Sequence, residues 1–303
     1  MWFYIDFEVL KTLKQLPVDL YLKVSDQKFV KIGNAGESFE TAERKHQENP
    51  DLEFCIKIED QEAFQDCINL RLSSVDKAEI INVAEVISKM SERFGITEAV
   101  KNLISEHQKE GMKVIQKEKA LKNLVSNIVK SESLLSSHAK IVCFISTYFA
   151  DSMATGSISD FATASYLQNL SIDNDIFYST ELYPEKKEDL SWQQLKKFQT
   201  HPDAAASTVE KSKDISQNVI SMIKDHHERV DGSGFPRKKT TKNLNMNSAV
   251  FIAANQISYI SLRCHNDEEE FEKQLQNLLN EYQETPFKKI AEFINQFSKN
   301  IAS

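Results

Sequence analysis

The residues of this chain best suited to chemistry lie in the run His226-His227-Glu228-Arg229-Val230-Asp231-Gly232-Ser233-Gly234-Phe235-Pro236. Two adjacent histidines close a helical stretch, and imidazole is the commonest metal-binding side chain near neutral pH. A turn built on Asp231-Gly232 and Gly234 follows, and glycine lets a backbone approach a ligand closely. Asp-Gly is also a frequent turn pair, so Asp231 is expected to orient the turn rather than to bind metal. His138 shares a helical face with Ile141, Val142, Ile145 and Phe149 and so points inward. The bland reading of these histidines is structural: a pair hydrogen-bonding the loop, and a buried polar residue in a core. Arg237, Lys238, Lys239 and Lys242 form a basic strip after the loop. It is either a solvated run or a contact for phosphate or an acidic partner. If it is a contact, reversing Arg237 and Lys238 to Glu weakens partner or nucleotide binding and leaves stability nearly unchanged.

The elements that must position these groups fall into two parts. Val18, Leu20, Leu22 and Val24 alternate with other residues, the period of a half-buried strand. Ser25-Asp26-Gln27 reads as a turn and Lys28 to Ile32 as the returning strand. Phe39 to Gln47 reads as a short helix ended by Asn49-Pro50. Leu52, Phe54, Ile56 and Ile58 alternate again, and Asp60 could cap a helix through Phe64 to Leu70. Residues 1–72 are expected to form a small α+β domain. From Ser74 to the end, residues 73–303, the period is helical. Ile80, Val83, Val86 and Ile87 share a face, as do Val100, Leu103 and Ile104. Gly95 and Gly111 are expected breaks, and Lys117 to Lys130 a helix with Leu121, Leu124 and Ile128 inward. Two amphipathic stripes close the chain: Phe271, Leu275, Leu278, Leu279 and Tyr282, then Phe287, Ile290, Ile294, Phe297 and Ile301. Core packing is the first reading of both, and the last could also support a homodimer. The fold class is thus mainly α.

Composition excludes several classes. The 303 residues carry a net charge of −8, which argues against general nucleic-acid or anionic-membrane binding. The four cysteines, Cys55, Cys67, Cys143 and Cys264, show no CxxC spacing. Reduced thiols in a cytoplasmic protein are expected, with Cys143 a core thiol. No apolar run reaches the ~18 residues of a membrane span. The apolar start, Met1 to Leu10, carries Asp6 and Glu8 without a basic leader and is not read as a signal peptide. Walker A, GxGxxG and GxSxG patterns are absent from the sequence.

The His226–Pro236 run resembles the signature of the HD-GYP family, bacterial phosphodiesterases that hydrolyse cyclic di-GMP. That signature reads HHE-x-x-DGxGYP, and Phe235 stands at the tyrosine. The resemblance covers roughly residues 125–265 and implies an all-helical HD-type bundle. It matches His138 to the family's first histidine, His201-Pro202 to its H-P frame, and His226 and His227 to the adjacent pair. It also implies losses. Gln168-Asn169 stands where the HD dipeptide belongs, Ile172 where the family has lysine, and Asn255 where it has the second metal-binding aspartate. Carboxylates bridge and neutralise two cations, whereas neutral amides do so badly. A two-metal centre that acidifies water and clamps a leaving oxygen is therefore poorly supported.

The resemblance thus implies no catalytic residues at Gln168, Asn169, Ile172 and Asn255. It leaves no cofactor, or a single residual divalent ion (zinc, iron or nickel) on His201, His226 and His227, with His138 less suited. The leading expectation is a catalytically inactive signalling or adaptor module. Its loop, Asp231, Gly232, Gly234, Phe235, Pro236, Arg237 and Lys238, would meet cyclic di-GMP or a diguanylate-cyclase (GGDEF) partner. The alternatives are an active phosphodiesterase with a mononuclear site and a purely structural interaction domain.

Overall fold

The computed structural model describes residues 2–5, 10, 15–25, 28–37, 53–64, 82–118, 121–122, 125–126, 133–182, 187–188, 190–283 and 285–299. The helix expected over 39–47, the turn residues Asp26 and Gln27, Leu52, residues 65–70, Cys67, Ser74, Ile80, Leu124, Ile128 and Ile301 lie outside these, as does the side chain of Phe297. The chain divides into two compact units, residues 1–78 and 79–303.

In the first unit four strands, Trp2–Ile5 (β1), Leu20–Ser25 (β2), Lys28–Gly33 (β3) and Glu53–Lys57 (β4), make an antiparallel sheet in the order β1-β4-β2-β3. Ile5, Leu20, Phe54 and Ile56 bury one face together with Leu10, Leu16, Val18 and Phe64. On the opposite side Trp2 stacks on Phe29 at 4.2 Å and meets Tyr21 edge-on at 4.9 Å. Two details depart from the alternation in the sequence. Ile58 is exposed and belongs to a 3-10 turn, Ile58–Asp60, because Lys57 already pairs with Trp2 at the sheet's end. Cys55 is buried although its neighbours Phe54 and Ile56 are buried as well, so β4 is covered on both faces.

The second unit is a helical bundle with one continuous core. Its helices are Val83–Arg93 (α1), Glu98–Lys117 (α2), Leu134–Ser152 (α3), Ile158–Leu167 (α4), Asn174–Phe177 (α5), Trp192–Val209 (α6), Gln217–Asp225 (α7), Met246–Arg263 (α8), Glu268–Gln283 (α9) and Lys288–Lys299 (α10). Polar caps start most of them. Ser133 accepts from Ser136 N at α3, Ser216 from Val219 N at α7, and Asn245 from Ser248 N at α8. Ser191 and Gln194 form a reciprocal capping box at α6. Central α3 packs on α4 and α8, α4 on α2 and α7, and α7 on α6 and α8. The stripe Phe271, Leu275, Leu278, Leu279, Tyr282 is buried, and so are Phe287, Ile290 and Ile294. The described part of the apolar face of α10 thus packs inside the chain.

Gly95 does end α1, with φ 58°. Gly111 does not end α2. The helix runs through it to Lys117, and Glu118 turns extended. The helix expected over 117–130 therefore does not begin at Lys117. Within that stretch Leu121 and Val125 are buried. Gly111 has a different use: a Cβ there would meet Ala162 Cβ at 2.8 Å, Thr163 N at 3.0 Å and Ser159 O at 3.1 Å. It is a point at which α2 lies against α4 with no room for a side chain. Gly111→Ala should therefore destabilise the protein by roughly 1–3 kcal/mol through overpacking. That loss should outweigh the ~1 kcal/mol that alanine gains over glycine within a helix. A urea-unfolding midpoint that rises in this variant would contradict the crossing.

Candidate metal centre

His201, on α6, is followed by Pro202, which sits inside the helix. Proline has no N–H and cannot donate to the carbonyl four residues back. That carbonyl is Phe198 O, and it accepts instead from His201 Nδ1 at 2.6 Å. His226 caps the C-terminus of α7, where helical carbonyls lose their amide partners. Its Nδ1 donates to Ile223 O at 2.7 Å. Both rings are thereby fixed with Nδ1 protonated and Nε2 carrying a lone pair. The two Nε2 atoms face each other at 3.0 Å. Two lone pairs at that distance repel unless a cation or proton lies between them. His227 completes the group, and the ligand atoms of the three imidazoles lie within 4.8 Å of one another.

The donor set fits a divalent ion. Two nitrogens 3.0 Å apart can both reach one ion at the usual imidazole distance of about 2.0–2.1 Å. The surroundings keep the rings neutral, as ligation requires. Burial pushes His201 down to about 4. His226 and His227 are held well below the usual imidazole value, first by burial and then by the neighbouring imidazoles. The group is also covered. His201, His226 and His227 are 1%, 2% and 9% exposed, and Phe235 stacks on His227 at 4.5 Å.

His138 lies in a separate cluster. Its Nε2 donates to Asn255 Oδ1 at 3.0 Å, and its Nδ1 accepts from Ser258 Oγ at 2.9 Å. Asn255 Nδ2 donates to Phe251 O, which orients that amide. The Gln168 side-chain amide is 3.3 Å from the same His138 nitrogen. Tyr259 stacks on the ring at 4.6 Å and Phe177 lies at 5.0 Å. Both nitrogens of His138 are thus engaged by neutral partners, and burial pushes its pKa down to about 3. Gln168 Oε1, Asn169 Nδ2 and Tyr259 OH are buried without a hydrogen-bond partner among the described residues. Ile172 is a core residue, 6% exposed.

The loop after the histidines is clamped from within. Buried Glu228 accepts from Arg237 N and Lys239 N, both at 2.8 Å. Buried Asp225 accepts from Ser248 Oγ at 2.9 Å and pairs with Lys239 at 2.8 Å and Arg237 at 3.2 Å. Asp231 Oδ1 accepts from Ser233 N and Oγ and so ties the turn. Gly232 has φ 83°, and a Cβ on Gly234 would meet Arg229 N at 2.4 Å. The basic strip therefore needs correcting: Arg237 and Lys239 are spent on buried carboxylates, and Arg237 also pairs with Asp203. Lys238 and Lys242 remain exposed.

One residue at the centre carried no signal in the sequence. Glu181 lies on a π-turn, Tyr178–Leu182, with its side chain 12% exposed and Oε1 3.8 Å from His227 Nδ1. Burial pushes its carboxyl up to about 7, against the pull of Arg263, Lys187 and Arg229. No motif spacing links it to the histidines.

Residues 123–256 match the family model for the HD domain, and His138, His201, His226 and His227 fall inside that segment. That segment, less than half of the chain, is similar to HD domains. A solved HDG"Y"P protein from Bdellovibrio bacteriovorus aligns over 100% of this chain and 100% of its own, at 16% identity and a TM-score of 0.43. Comparison with curated proteins gives no match. Among the described residues, no helix is long and apolar enough to cross a membrane.

Two outcomes follow from the clamp and from the buried rings. Arg237→Glu places a third carboxylate beside Asp225 and Glu228 and should cost roughly 1–3 kcal/mol. Lys238→Glu should change stability by no more than about 0.5 kcal/mol, and denaturant unfolding of the two variants separates these effects. The second outcome concerns acid. The folded imidazoles titrate below the unfolded value of 6.5: His138 at about 3, His201 at about 4, and His226 and His227 well below. The unfolded chain then takes up protons that the folded chain refuses, so stability present above pH 6.5 is lost as pH falls toward the folded values. Glu181 acts in the opposite sense between 4.5 and about 7, but it is one group against four. Metal-free protein should show falling urea midpoints from pH 7 to 5; a flat profile would contradict the neutral cluster.

Proposed function

We propose that this chain is a catalytically inactive HD-GYP-like signalling or adaptor protein that holds at most one divalent ion, on His201, His226 and His227. The observation that carries the reading is His138. Its two nitrogens are engaged by Asn255 and Ser258, so the half of the centre that it would anchor offers no free lone pair. Amides at positions 168, 169 and 255 bring no negative charge to offset a second cation. Zinc, iron and nickel all suit the three-imidazole set.

The ligand class comes from the signature loop, which resembles that of cyclic di-GMP phosphodiesterases. Cyclic di-GMP or a GGDEF-domain partner in the cytoplasm is the proposed contact. The exposed residues of that loop are Asp231, Ser233, Arg237 and Lys238. One observation favours a second reading, an active phosphodiesterase with a mononuclear site: three imidazoles leave coordination positions open for water and substrate. The cover of Phe235 over His227 weighs against it.

Elemental analysis and a hydrolysis assay on the purified chain decide between the two. The expected result is no more than one ion per chain and no cyclic di-GMP turnover with manganese, iron or zinc. Metal affinity should hold through the usual histidine range and fall only as pH approaches the lowered values of the buried rings, because protonated imidazole does not ligate. Turnover that disappears in His227→Ala would establish the second reading, and two ions per chain would overturn both.

A further inference from the structure

The three imidazoles differ in what holds their Nδ1 side. For His201 it is Phe198 O, and for His226 it is Ile223 O. Among the described residues no backbone carbonyl accepts from His227 there; the group facing its Nδ1 is the Glu181 carboxylate at 3.8 Å. His227 is then left with Nε2 as its ligating nitrogen, the same atom that His201 and His226 present to each other. Glu181 itself accepts no hydrogen bond among the described residues. Arg263, Lys187 and Arg229 act on it only through space. Withdrawing a carboxylate from water costs several kcal/mol unless a charge or donor offsets it. Neutral imidazoles do not supply that offset; a divalent ion on their Nε2 atoms would.

We propose that Glu181 is a positioning residue of the three-histidine centre: it receives Nδ1–H from His227, fixes the tautomer that presents Nε2, and supplies negative charge that Asn169 and Asn255 do not. This rests on the single-metal reading above and assigns the centre its carboxylate. The arrangement is the carboxylate–histidine–metal relay, in which the partner behind a ligating ring orients it and raises its basicity. The present 3.8 Å separation must close by roughly 1 Å for a full hydrogen bond. Glu181 stands on a π-turn, whose extra residue sets it apart from the regular helical faces that sequence periodicity reveals.

The test uses the full chain, with zinc as the probe. Affinity is measured by chelator competition for wild type, Glu181→Gln and Glu181→Leu, and the His227 tautomer by long-range nitrogen-15 spectra with and without zinc. The Gln variant keeps the shape and removes the charge; the Leu variant removes the acceptor too. Wild type should bind one zinc with His227 as the Nδ1–H tautomer. Glu181→Gln should bind about 10–100-fold more weakly with an unchanged circular-dichroism spectrum, and Glu181→Leu should also lose the single tautomer. Zinc affinity within twofold of wild type in both variants, with unchanged His227 shifts, overturns this inference alone. A wild type that binds no zinc overturns the single-metal reading and this inference with it.

Discussion

Two imidazole lone pairs pointed at each other inside a helical core are a costly arrangement, and much of this domain exists to maintain it. The contact between His201 and His226 is set by carbonyls that the helices themselves release. Pro202 withholds an amide from Phe198 O in the middle of α6, and the end of α7 leaves Ile223 O to His226. Each ring hangs from its own helix by a bond that regular helical geometry would have denied it. The packing of α6 on α7 then determines how closely the two nitrogens approach. The centre is therefore a property of two helix irregularities and one helix crossing.

The amides near His138 acquire a physical meaning in this setting. At His138 the surrounding groups are Asn255, Gln168, Ser258 and two aromatic rings. An imidazole that donates to a fixed amide oxygen and accepts from a hydroxyl is satisfied as a neutral group. It needs no ion to justify its burial. The two histidine clusters thus differ: His138 has both ring nitrogens engaged, and the other cluster keeps an electrostatic demand that its own imidazoles do not meet.

How much of this was legible in the residues can be argued case by case. The imidazoles, the helical faces and the hairpin follow from spacing, because a period of 3.6 or 2 is a local quantity. The strip Arg237–Lys239 looked solvated because its partners, Asp225 and Glu228, act across a turn, and no local pattern says which cation meets which carboxylate. Gly111 looked like a break because glycine weakens a helix, whereas its role depends on α4, about fifty residues away. Glu181 carried no signal, since a π-turn shifts a side chain off the regular face.

The clamp on the signature loop has a consequence for inheritance. Glu228 and Asp225 hold the loop through amides and cations of the loop itself, and Gly234 leaves no room for a side chain above Glu228. Those residues are required for the chain to fold in this place, whatever the neighbouring histidines do. Selection on folding alone would thus keep the loop's spelling. The pattern of such a loop is a record of architecture.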